Sequence, residues 1–236
     1  MPRNQYADIS LLFFVSASIF GLGSLALLVF SQSASADGFI LRKPLIGLIF
    51  SLICVLGALA VVIPSQCNSV LGARGKGGSF GFHSSSTSSR PLKGHHFDCE
   101  GYVPHIVKFG GKTFCAACSG LFLGAVAATF GSIVYFFSNV GIGQFGSVFL
   151  MIGMLFVALG FIQFKSPGLS RLLVNALFVF GAFLVLIATD AFLGNLFIDL
   201  YVISLILLWI MTRILLSQWD HSRICHSCTV DCELKK

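Results

Sequence analysis

The chain has 236 residues, of which 56% are hydrophobic and only 10% charged, with a net charge of +6. Soluble domains are about 45–50% apolar and about 25% charged, so the composition excludes an ordinary soluble enzyme. The apolar excess also excludes a disordered chain, which leaves an integral membrane protein.

Six apolar runs follow one another along the chain: Ile9–Phe30, Pro44–Pro64, Cys118–Phe137, Phe145–Phe164, Leu172–Leu193 and Leu196–Leu216. Each is 20 to 22 residues long, the length at which a helix crosses a hydrocarbon core of ~30 Å. Together they hold three charged residues, Asp190, Asp199 and Arg213, while the rest of the chain holds 21. Buried strands are shorter, and a barrel strand would alternate polar and apolar positions. The fold class expected is therefore all-α and polytopic, with about six transmembrane helices.

Residues 1–64 supply the first two helices. Ala34-Ser35-Ala36 resembles a signal-peptidase site. The preceding run is longer than a secretory core, however, and Arg3 is the one basic residue before it, so the first run is expected to be retained as a span. Cys54, in mid-span, and Cys67, near a membrane boundary, read as small buried or incidental thiols. Residues 65–94 are rich in Gly and Ser and read as a flexible linker, with His83 solvated inside it.

Residues 95–118 carry a constellation: His96-x2-Cys99-x15-Cys115-x2-Cys118. This matches the spacing of a four-ligand zinc site in which His replaces one Cys, because two residues between ligands let one tight turn present both to a tetrahedral ion. Between the ligand pairs, Ile106–Phe109 and Lys112–Phe114 flank Gly110-Gly111, a hairpin signal. The expectation is a small zinc-ribbon-like hairpin, with Cys115 and Cys118 at a helix N-terminus that favours thiolates. His95 and His105 compete as ligands, and His105 fits better as a hairpin side chain or as a hydrogen-bond partner of the ligands.

Residues 118–218 hold the remaining four helices as a bundle. Gly120, Gly124 and Ala128 lie at the small-xxx-small spacing that lets membrane helices approach closely. Asn175 is expected to make an interhelical hydrogen bond, Trp209 to pack in mid-span and Trp219 to anchor the interface. Asp190 and Asp199 flank the Gly194-Asn195 turn, where they either sit at the interface or handle protons or cations. Residues 219–236 form a Cys/His-rich tail: His221, Cys225, His226, Cys228 and Cys232. His221, Cys225, Cys228 and Cys232 form a second metal site or complete a site shared with the loop, with His226 as a substitute ligand.

Lys and Arg divide thirteen to two between the two sides that six spans create, with Arg42 and Lys43 alone on the minority side. Basic loops stay in the cytoplasm, so the N-terminus, the 65–117 loop and the C-terminal tail are expected there, in a multi-pass protein of the cell membrane. The +6 charge is then explained by topology and anionic headgroups, and no nucleic-acid partner is needed. Six of the eight cysteines fall on this reducing side, where clustered thiols indicate metal or redox chemistry more than disulfides.

The stretch from Cys99 through Phe114-Cys115-Ala116-Ala117-Cys118-Ser119-Gly120 to Gly124 resembles a prokaryotic family of small polytopic membrane proteins of unknown function. Its members carry Cys-x-x-Cys-x-Gly at the start of a span, after an upstream His or Cys. The resemblance covers roughly residues 95–130. It implies a membrane location and a Cys/His site, but no activity, and the tail cluster lies outside the shared pattern.

Nucleotide-binding, zinc-protease and nucleophile-elbow motifs are absent, and Ser119 after Cys118 removes the c-type haem signature. The function expected is a membrane protein with a structural, cytoplasmic zinc site, compatible with a role as an accessory subunit of a membrane complex. The alternatives are a thiol-redox or iron–sulfur enzyme built on the same cysteines, and an ion or proton transporter using Asp190 and Asp199.

Overall fold

The fold is described from a computed structural model for residues 2–31, 41–62, 100–109, 112–138, 140–163 and 166–227. Six helices among these residues are long and apolar enough to span a membrane. They are α1 (Pro2–Ser31), α2 (Arg42–Val62), α3 (Ala116–Phe137), α4 (Gly146–Phe161, which reaches spanning length with the 3₁₀ turn Gly143–Phe145 before it), α5 (Gly168–Leu193) and α6 (Leu196–Ser227). A 3₁₀ turn (Glu100–His105) and two strands, β1 (Ile106–Phe109) and β2 (Lys112–Cys115), precede α3.

Helix α5 is the axis of the bundle. Its run Gly181–Asp190 is buried on every side, which is how a helix that is apolar all round is accommodated. Helices α3 and α4 pack along α5, α2 packs outside α3, and α1 packs on α6. Glycines bring the backbones together. A Cβ at Gly124 would lie 2.6 Å from the carbonyl oxygen of Ala176, and one at Gly153 would lie 2.8 Å from that of Gly181. Lipid tails are as apolar as the helices, so close approach of this kind replaces the hydrophobic drive of a soluble core. Gly120, Gly124 and Ala128 are buried on one face of α3, as their spacing indicates.

Helix α1 meets α6 through hydroxyl groups. The Ser18 and Thr212 side-chain oxygens are 2.7 Å apart, both fully buried, and Ser24 is 2.7 Å from the Tyr201 hydroxyl. A Thr212→Val change is expected to cost about 1 kcal/mol, in line with other interhelical hydrogen bonds in membranes. A detergent-titrated unfolding curve measures it.

Two local features set the ends of the bundle. Gly194 adopts a left-handed conformation (φ 58°) and its N–H donates to the Asp190 carbonyl, closing α5. Asn195 Oδ1 then accepts from the Phe197 N–H at 2.9 Å, capping α6. A left-handed glycine followed by an Asn N-cap reverses the chain in two residues. At the other end α6 runs on past the apolar segment to Ser227. No Gly or Pro lies between Leu216 and Ser227, so nothing in the backbone stops the helix. Its 32 residues span about 48 Å, more than the hydrocarbon core requires.

Candidate functional site

The hairpin forms from the expected strands, the second running one residue further, to Cys115. Ile106 pairs with Cys115, Val107 with Phe114, Lys108 with Thr113 and Phe109 with Lys112, and Gly110-Gly111 lie outside the described residues. Strand β2 passes directly into α3. Cys115 therefore ends the strand, buried, and Cys118 sits in the first turn of the helix, partly exposed.

The base of the hairpin is clamped to the bundle by polar contacts. His105, 5% exposed, faces the guanidinium of Arg171 at the start of α5. Arginine only donates, so the His105 nitrogen that faces it accepts. Arg171 also donates to Asp220 Oδ2 at 3.0 Å and, through Nε, to the Ser166 carbonyl at 3.1 Å. The His105 and His221 rings lie 5.7 Å apart, centre to centre. Residues 49 to 116 positions apart in sequence thus join the hairpin, α5 and α6 at one end of the bundle.

One turn deeper, Asn175 links the same helices. Its Nδ2 donates to the Arg171 carbonyl at 2.7 Å, and its Oδ1 accepts from Arg213 Nε at 2.8 Å. Arg213 also donates to Gln163 Oε1 at 3.1 Å. The buried Gln163 Nε2 finds no acceptor among the described residues. The interhelical role expected of Asn175 is the one it plays. Trp209 packs in mid-span, fully buried.

The opposite end of the bundle holds a second buried cluster. Arg42 Nη1 lies 2.5 Å from both Asp190 Oδ1 and Asp199 Oδ2. Tyr135 donates its hydroxyl to Asp190 Oδ2 at 2.7 Å, and the Lys43 ammonium stands 4.0 Å from that oxygen, over the Tyr135 ring. Asp190 and Asp199 are 2% and 0% exposed, so neither carboxylate reaches the surface of the bundle. The reason is the tight 194–195 turn: the two acids flank it at like distances and face one another across the helical hairpin, where a single arginine from α2 bridges them. Two acids against Arg42 and Lys43 leave the cluster near neutrality, the condition for burying charge in a membrane protein.

Of the proposed ligands, Cys115 and Cys118 lie at the hairpin–helix junction and His221 lies near the end of α6. Cys225 and His226 fall in the last turn of that helix. His95, His96, Cys99, Cys228 and Cys232 lie outside the described residues, as does the 65–94 linker. Among the described residues no three His, Cys, Asp or Glu side chains are placed to hold one metal ion. His105 serves as a hairpin side chain in the clamp.

Sequence reasoning did not find Arg171, Asp220, Gln163, Arg42 or Tyr135. In the sequence the basic residues bear only on topology, although Asp220 next to His221, and Arg42 at the start of an apolar run, are charges near the ends of helical segments. No family model, curated protein or solved structure matches the chain.

Proposed function

We propose that this chain is a multi-pass protein of the cell membrane in which a zinc ion pins the hairpin, and the end of α6, over the cytoplasmic end of the helix bundle. The ligands are His96, Cys99, Cys115 and Cys118, with His221, Cys225, Cys228 and Cys232 completing a shared site or forming a second one. The observation that carries this reading is the clamp. The His105–Arg171–Asp220 contacts and the His105–His221 approach bring the loop and the C-terminal helix, which bear the two Cys/His clusters, to the same end of the bundle. A structural zinc site is closed by four protein ligands and contributes directly to folding. The cytoplasmic assignment rests on the thirteen-to-two division of Lys and Arg. In this reading Asp190 and Asp199 anchor α2 rather than carry ions, since Arg42 already holds both.

The test compares the protein with its Cys115→Ser/Cys118→Ser variant, with and without a strong chelator. Chelation is expected to lower the unfolding midpoint of the parent at least to that of the variant, and to leave the variant unchanged if the site is shared. A variant as stable as the parent overturns the proposal. Cys225→Ser/Cys228→Ser separates the two arrangements: with one shared site its metal content falls with that of the first variant, and with two sites half the metal remains.

A further inference from the structure

The β1–β2 hairpin has an outer face that the clamp does not use. Residues directly opposite in an antiparallel pair share a face, and the faces alternate along the strand. Ile106 and Cys115 therefore share one face, and Val107 and Phe114 share the other. The first face turns to the bundle, for Cys115 is buried and β1 packs on α5. The second turns away. Phe114 is 46% exposed, Val107 is half-buried, and Val103 in the preceding turn is 61% exposed. A small hairpin presenting Phe and Val outward has an apolar face with no protein cover among the described residues.

The depth of this face is set by its neighbours. Strand β2 enters α3, a membrane span, with no intervening residue. His105, at the base of β1, lies 3.8 Å from Asp220, the residue after Trp219. The Arg223 guanidinium stacks over the Trp219 ring at 4.7 Å. Tryptophan with a cation just past the end of an apolar run marks the level of the lipid headgroups. The hairpin therefore lies beside that belt, with Lys108 exposed near its tip.

We propose that the hairpin is an interfacial element: its Val103–Val107–Phe114 face rests in the headgroup–acyl boundary of the bilayer, with Arg223, and Lys108 from the strand's other face near the exposed tip, directed at anionic headgroups. The occupant is the membrane in which α3 is already embedded. Continuity with that span, together with the exposed cations, favours lipid over a partner protein. The proposal is independent of metal, since it uses only the strand register and the level of Trp219.

The experiment uses the full chain in phosphatidylcholine vesicles containing a minority of phosphatidylglycerol. A Phe114→Trp variant adds one emitter to the two native tryptophans, and the difference from the parent isolates its signal. Lipids brominated high on the acyl chain are expected to quench that added emission about twofold or more, while aqueous iodide leaves it nearly unchanged. Val103→Trp, on a different element, is expected to respond alike and serves if the first variant folds poorly. Adding Lys108→Glu to the Phe114→Trp variant is expected to weaken the bromolipid quenching in the anionic vesicles more than in phosphatidylcholine alone. Emission quenched by iodide and not by bromolipid places the face in water and overturns the proposal. Emission quenched by neither means that protein covers it, and overturns it equally.

Discussion

Replacing Arg42 with methionine is expected to destabilise the bundle by about 3–5 kcal/mol, the cost of breaking a buried ion pair from one side. The loss comes from what is left behind more than from the bond itself. Asp190 and Asp199 are almost fully buried and both rest on the same guanidinium nitrogen at 2.5 Å. Without it, two carboxylates repel each other in a medium that cannot solvate them. The origin of the effect is separable. Combining Arg42→Met with Asp190→Asn and Asp199→Asn removes the three buried charges, and most of the lost stability is expected to return, because the one charge that remains, on Lys43, is partly exposed and not stranded. Lys43→Met is the contrast. Its side chain is 34% exposed and 4.0 Å from Asp190, so it is expected to cost less than about 1 kcal/mol. Equilibrium unfolding in mixed detergent micelles measures all of these on one scale. An Arg42→Met protein as stable as the parent would remove the cluster from the account of the fold.

A valine at Gly120 is expected to be comparably damaging for a steric reason. Its Cβ would overlap the Leu172 carbonyl oxygen and fall 2.9 Å from the Cβ of Asn175. Backbone cannot rotate aside as a side-chain tip can, so α3 must move away from α5. Overpacking costs about 1–3 kcal/mol where side chains can adjust, and a backbone clash belongs at the upper end or above it. The consequences reach both layers of the hairpin end. Asn175 holds Arg213, and Cys118 lies two residues before Gly120 on the same helix. The glycine of the Cys-x-x-Cys-x-Gly segment thus seats the cysteine-bearing turn against α5. Gly57→Val is the matched control, since nothing lies within 4 Å of a Cβ there. It is expected to change stability by less than about 0.5 kcal/mol.

The spans and the hairpin were legible because each rests on a local pattern. Run length identifies a membrane helix, and two short β-rich segments around Gly110-Gly111 identify strands. Gly120, Gly124 and Ala128 were legible for the same reason, since helical spacing places them on one face. The charge clusters were not, because each is assembled from residues far apart in the chain. Asp190 and Asp199 look like interface residues when only their distance from the 194–195 turn is known. Their burial depends on Arg42, which approaches from α2. Arg171 looked like one more basic residue in a short turn, and its role appears only when His105 and Asp220 arrive from the hairpin and α6. The end of α6 was read as a tail because its hydropathy falls after Leu216, whereas helix continuity depends on the absence of breakers through Ser227.

The membrane bundle, the clamp and the cysteine-bearing junction meet in one claim: the Cys/His residues at the hairpin end hold a structural metal. Elemental analysis of the purified full-length protein, with an absorption spectrum of the same sample, tests it most directly. The account predicts stoichiometric zinc, no visible absorption and loss of the metal in the Cys115→Ser/Cys118→Ser variant. Protein that is folded and free of metal, or one that carries iron with visible cluster absorption, would contradict it.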